Sequence, residues 1–114
     1  MVDLGTRDRL GIRDLQAFHV ELDRDKDFDL DLFRNVAYLV GELGEVVRAA
    51  RQLERAKGLA EEGSARDHVG EELADCLAYL LKLANYAEVD LQAAYVKKME
   101  QNVTRTWPQK AHGA

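Results

Sequence analysis

The stretch DLFRNVAYLVGELGEVVRAA, residues 31–50, decides how the chain folds. Leu32, Val36, Leu39, Val40, Leu43, Val46, Val47 and Ala50 recur at three- and four-residue spacing, the period of one helix face. The helix is expected to begin near Asp31. At about 100° per residue, Glu42 and Glu45 fall off this apolar stripe, on a separate strip with Asn35, Tyr38 and Ala49. Arg34, Arg48 and Arg51 take the remaining side. A later segment repeats the arrangement. There Val69, Leu73, Leu77, Leu80, Leu81 and Ala84 form the stripe, and His68, Glu72, Asp75, Tyr79, Lys82 and Tyr86 line the opposite strip. Glu42-Leu43-Gly44-Glu45 and Glu72-Leu73-Ala74-Asp75 therefore share one pattern, two acids three residues apart on one helix face.

Two further helices flank this pair. The first is carried by Ile12, Leu15, Phe18 and Leu22; the acidic run Asp23 to Asp29 offers no apolar face and reads as a loop. The pattern lapses between Gly58 and Gly63, and Ser64 is the expected cap of the third helix. Asp90 is the expected cap of a fourth, with Leu91, Ala94, Tyr95 and Met99. Pro108 is the one proline, and strand-like alternation of β-branched residues is absent. The fold class expected is all-α, an antiparallel helical bundle of four main helices whose apolar stripes make the core. One domain spans residues 1–114, with flexible tails at about 1–9 and 109–114. Two usable faces per helix exceed what a monomer satisfies, so assembly as a homo-oligomer is expected.

Sixteen Lys and Arg against 21 Asp and Glu leave a net charge of −5, which argues against nucleic acid as the main partner. The single cysteine, Cys76, excludes an internal disulfide and fits a reducing compartment. As no histidine lies within a helical turn of it, it reads as a small packing residue rather than a nucleophile. No apolar run is long enough for a signal peptide or a membrane span, so a soluble, cytoplasmic protein is expected.

Facing helices that each carry an acid pair gather four carboxylates, and such a group calls for a cation. Oxygen-only ligands suit magnesium or manganese, completed by water and substrate phosphates. A di-iron centre would need Glu-x-x-His motifs, but Gln16, Ala65 and Gln109 stand three residues before His19, His68 and His112. Lys82, two turns beyond Asp75, and Lys97, Lys98 and Arg105 are candidate phosphate contacts. One Glu-x-x-Glu pair alone is common on solvated helices. Two pairs of the same shape, both off the core stripe, favour a site. Glu71, at the edge of its strip, reads as a solvated or supporting acid.

Glu42-x-x-Glu45, a spacer and Glu72-x-x-Asp75 resemble the signature of the MazG-like all-α nucleotide pyrophosphohydrolases. The likeness extends through Ile12-Arg13-Asp14-Leu15, Phe18-His19, Arg24-Asp25-Lys26-Asp27-Phe28, Arg34-Asn35, Val89-Asp90-Leu91 and Lys98-Met99 with Asn102, and is greatest for the dCTP pyrophosphatase branch. It covers roughly residues 10–108. What it implies is magnesium-dependent hydrolysis of a nucleoside triphosphate, dCTP or a modified deoxynucleotide among the candidates, to the monophosphate and pyrophosphate. The resemblance makes Glu42, Glu45, Glu72 and Asp75 the metal ligands and catalytic acids. It puts Tyr79 at the substrate, His19 and Phe28 at the base, and Lys98 and Asn102 at the phosphates. Asn35 and Lys82 join them as substrate-binding candidates, and dimers or tetramers are implied. Phe28 and Gln52 stand where that branch carries tryptophans, so the catalytic half transfers better than the base-binding half. The alternatives are a phosphoribosyl-ATP pyrophosphohydrolase and a non-catalytic helical interaction module.

Overall fold

The computed structural model describes residues 4–6 and 8–105. After a 3-10 turn at Leu4–Thr6 come four α-helices, α1 Ile12–Lys26, α2 Leu32–Ala56, α3 Glu62–Tyr86 and α4 Leu91–Thr104, and no strand among the described residues. The expected C-terminal tail, with Trp107, Pro108 and His112, lies outside the described residues, as do residues 1–3 and 7 of the N-terminal one.

Two helix starts match the sequence reading. Asp31 Oδ2 accepts from the Arg34 amide at 2.7 Å, and Asp90 Oδ1 accepts from the Ala93 amide at 3.2 Å. Two expectations are corrected. Helix α1 runs on to Lys26, through half of the acidic run read as a loop, and ends at Asp27 in the left-handed region (φ 53°). Charge alone misled there, because one of those acids, Asp23, is buried. The N-cap of α3 is Glu61 rather than Ser64, whose hydroxyl instead donates to the Glu61 carbonyl at 3.1 Å from inside the first turn.

Helices α2 and α3 form a long antiparallel hairpin: Tyr38 near the start of α2 meets Tyr79 near the end of α3, with ring centroids 6.3 Å apart. Helix α1 runs antiparallel to the last turns of α3, Gln16 beside Asn85 and Asp23 beside Lys82. Helix α4 packs chiefly against α1, near whose start Arg13 holds Asp90 at 2.8 Å. Gln16 ties this corner together. It donates to Asn85 Oδ1 (3.0 Å) and the Val89 carbonyl (2.9 Å), and accepts from the Leu91 amide (3.0 Å).

The core is a further correction. The buried apolar residues are Ala49, Ala56, Ala65, Cys76, Leu81 and Ala84, mostly small. Most of the α2 stripe read as core faces outward, with Leu43 49 % and Val47 58 % exposed, while Leu39 and Val46 are part-buried. On α3, Leu73, Leu77 and Leu80 are exposed, but Leu81 and Ala84 of the same stripe are buried. The hairpin closes through small side chains and the polar strips, leaving the bulky stripes uncovered. The Cα radius of gyration, 17.2 Å, exceeds the roughly 13 Å of a compact chain of this length, as befits an open layer of helices.

Replacing Gln16 with Ala strips partners from Asn85 and the Leu91 amide. Urea unfolding is expected to show a loss of about 1–3 kcal/mol; an unchanged midpoint would mean that the corner is held by other contacts.

Candidate metal centre

The hairpin register puts the acid strips of α2 and α3 against each other. One carboxylate oxygen from each of Glu42, Glu72 and Asp75 lies within 4.8 Å of the others. Glu42 and Glu72 are half-buried at the groove and Asp75 is more open. Burial, followed by the charges of Asp75, Glu72 and Glu45, raises the Glu42 carboxyl above its ordinary value. The expected fourth acid, Glu45, does not join this cluster; its carboxylate is paired with Arg48 one turn along α2, which holds it below the usual carboxylate range. Glu72 also faces His68, whose Nε2 is 3.7 Å away, while Glu71 remains exposed with one oxygen 3.8 Å from His68 Nδ1. Three crowded, oxygen-only ligands with one carboxyl pushed toward its neutral form suit a hard divalent cation.

Clefts lie on both sides of the acids. Toward the α2–α3 turn, an open cleft of about 650 Å³ is lined by Gln52, Arg55, Glu61, Ser64 and His68, among others. Toward the other end, a cleft of about 210 Å³ is lined by Phe28, Asp29, Asn35, Tyr38, Tyr79 and Lys82. Tyr38 is one turn before Glu42 and Tyr79 one turn after Asp75, so this cleft continues directly from the acids. The Tyr79 hydroxyl is pushed up by burial and then by the Glu42 charge. Asn35 is buried because its Nδ2 donates to the Asp29 and Asp31 carbonyls at 2.8 and 2.7 Å, pinning the α1–α2 loop and Phe28 with it.

Of the predicted substrate residues, Phe28, Asn35, Tyr79 and Lys82 are therefore brought together. His19 stands one turn before Asp23 on α1, edge-on to Phe18 at 5.2 Å, its imidazole pKa lowered by burial. Lys98 and Asn102 sit on α4, which packs chiefly on α1 and not on the acid groove. Sequence reasoning missed Asp23, which pairs with Lys82, and Arg48, which holds Glu45. Gln16, His19 and Asp23 recur at helical spacing beside the α1 stripe, and extending the periodicity through the charged run would have found the last of them.

The sign of the Glu42 shift leads to a pH test. A carboxyl whose folded pKa lies above its unfolded value of 4.5 opposes folding when ionised. That penalty is relieved as pH falls through the raised value. Without added metal, Glu42→Gln is expected to melt higher than the wild type at pH 7, the two curves converging toward pH 4; a variant that melts lower at pH 7 would contradict the crowding of the acids.

The family profile described as the MazG nucleotide pyrophosphohydrolase domain matches residues 32–106. The dCTP pyrophosphatase 1 of Rattus norvegicus is 34 % identical over 102 residues, covering 82 % of this chain and 58 % of that protein. The chain thus spans somewhat over half the length of the curated relative it matches. With most of the chain and all four signature acids inside the matched region, it belongs to the MazG nucleotide pyrophosphohydrolase domain family.

Proposed function

We propose that this chain hydrolyses a nucleoside triphosphate to the monophosphate and pyrophosphate in the presence of magnesium or manganese. The observation that carries the reading is the meeting of Glu42, Glu72 and Asp75 in one groove that continues into an aromatic cleft. These three acids would hold the metal, and Glu45 would join them by releasing Arg48. A divalent cation bound there supplies charge neutralisation to phosphate oxygens and acidity to water. The reaction adds one water across a phosphoric anhydride, so the chain's own task is to orient the triphosphate and keep its nucleoside end in place.

The two clefts suggest the orientation. Arg48, Arg55 and His68 lie at and beyond the acids toward the helix turn and suit phosphate oxygens. Phe28, Tyr38 and Tyr79 line the other side and suit a base and sugar. The name of the rat relative makes dCTP, or a deoxycytidine triphosphate modified on the base, the first substrate to test. Phe28 and Gln52 in place of the branch's tryptophans argue for a broader panel.

The exposed stripes of α2 and α3 support a homo-oligomer, dimer or tetramer. Lys98 and Asn102 would then reach the phosphates from a neighbouring copy. No helix among the described residues is long and apolar enough to cross a membrane. The free, buried thiol of Cys76 is in keeping with a cytoplasmic setting.

Pyrophosphate release from the common deoxynucleoside and ribonucleoside triphosphates, with magnesium, tests the activity. Glu72→Gln is expected to lower turnover by at least about a hundredfold with the fold intact. No turnover by the wild type, together with identical melting with and without magnesium, would favour a non-catalytic helical module. Light scattering tests the assembly: Val47→Lys is expected to reduce the mass of the wild-type oligomer, and a monomeric wild type would refute it.

A further inference from the structure

Asp23 is the most deeply buried acid among the described residues, 4 % exposed, and the metal reading makes no use of it. A carboxylate out of water must be compensated. Its partners come from α3. The Tyr86 hydroxyl donates to Oδ2 at 2.5 Å, and Lys82 Nζ lies 3.4 Å from Oδ1 in an ion pair that is not also a hydrogen bond. The Lys82 side chain is itself only 12 % exposed. Its ammonium sits 4.8 Å from the Phe28 ring centre and 5.2 Å from that of Tyr79. The backbone of Asp23 adds a tie of its own, since its carbonyl accepts from the Phe28 amide at 3.0 Å. One residue thus positions both the cation and the ring at the end of the cleft remote from the helix turn.

Charge decides what such a lysine can recognise. A phosphate needs an uncompensated cation. Lys82 has the Asp23 carboxylate beside it, and Asp29, which lines the same cleft, is paired with Arg34 at 2.6 Å. A triphosphate brought there would meet two compensated ion pairs, Lys82 with Asp23 and Arg34 with Asp29, and no free cation among the described residues. What the ion pair leaves on Lys82 is N–H donors held between aromatic faces, which suit a neutral acceptor such as a base carbonyl or ring nitrogen.

We propose that Asp23, with Tyr86, is a positioning residue that fixes Lys82 as a hydrogen-bond donor to the nucleoside end of the substrate, so that Lys82 reads the base side and is not a phosphate anchor. The inference rests on the nucleotide-cleaving reading above and adds a role for the α1–α3 contact. The bland alternative is that the cluster merely staples α1 to α3, and the test must separate the two.

Calorimetry with magnesium present would compare two probes. One is the deoxynucleoside monophosphate product of the best substrate, and the other is inorganic tripolyphosphate, which has no base. Lys82→Met is expected to weaken the monophosphate about tenfold and to leave tripolyphosphate within about twofold. Asp23→Asn should weaken the monophosphate similarly, and adding it to Lys82→Met should cost little more, because it acts through the lysine. Should Asp23→Asn fold poorly, Tyr86→Phe keeps the ring and removes only the hydrogen bond, and a smaller shift on the monophosphate alone is expected. Equal loss of both probes in Lys82→Met would make the lysine a phosphate anchor and overturn the proposal. So would fully additive effects, or a lowered melting temperature with binding unchanged. A wild type that cleaves nucleotides while failing these tests sinks only this inference; one that neither binds nor cleaves any nucleotide sinks the functional reading too.

Discussion

The repulsion among Glu42, Glu72 and Asp75 is the constraint around which the long hairpin is arranged. Three carboxylates within 4.8 Å persist only where the helices that carry them are held together by other means. Those means are small side chains at the contact, Ala49, Ala56, Ala65 and Cys76, which let the two backbones approach closely. Some charge is met locally, by Arg48 at Glu45. The remainder shows as the raised carboxyl of Glu42, a group that favours the arrival of either a proton or a cation.

Devoting the inner faces of α2 and α3 to acids has a consequence for the rest of the chain. Each helix has only one inner face, so the bulky stripe of Val40, Leu43 and Val47 turns outward, with Leu73, Leu77 and Leu80 on α3. A chain with this many exposed aliphatic side chains leaves a large apolar surface for a partner to cover. The polar ends of the hairpin are also put to use. One is flanked by Arg55 and His68, and the other is closed by α1 and its loop, which bring Phe28 and the Asp23–Lys82 pair against Tyr79. The groove is therefore asymmetric, with Arg48, Arg55 and His68 on one side of the acids and, on the other, rings that enclose the ion-paired Lys82.

Much of this was legible in the residues. The 3.6-residue period, the cap Asp90 and the lack of strand alternation were sufficient for four helices, because each depends on local backbone chemistry. The two acid pairs, and their place off the apolar stripes, were legible for the same reason: spacing along a helix is local geometry. The run from Asp23 to Asp29 was misread because charge density argues for solvent, whereas burial of Asp23 depends on Lys82 and Tyr86, far along the chain. Ser64 was misread because a good capping residue and the actual cap were three positions apart, a choice settled by how the turn is closed.

The sequence by itself therefore determined the helices, the polar and apolar face of each, and the identity of the acids, since these follow from periodicity and side-chain chemistry. Only the tertiary structure decided which face of α2 meets α3. A helix wheel shows that two faces exist but not which is inner, and that choice depends on small residues meeting across the hairpin. The same packing decided that three acids rather than four converge, as Glu45 has a nearer cation in Arg48. It also decided that Lys82 answers Asp23 on α1 instead of the acid cluster two turns away, because an ion pair forms with the charge that folding brings close, whatever its distance in the chain.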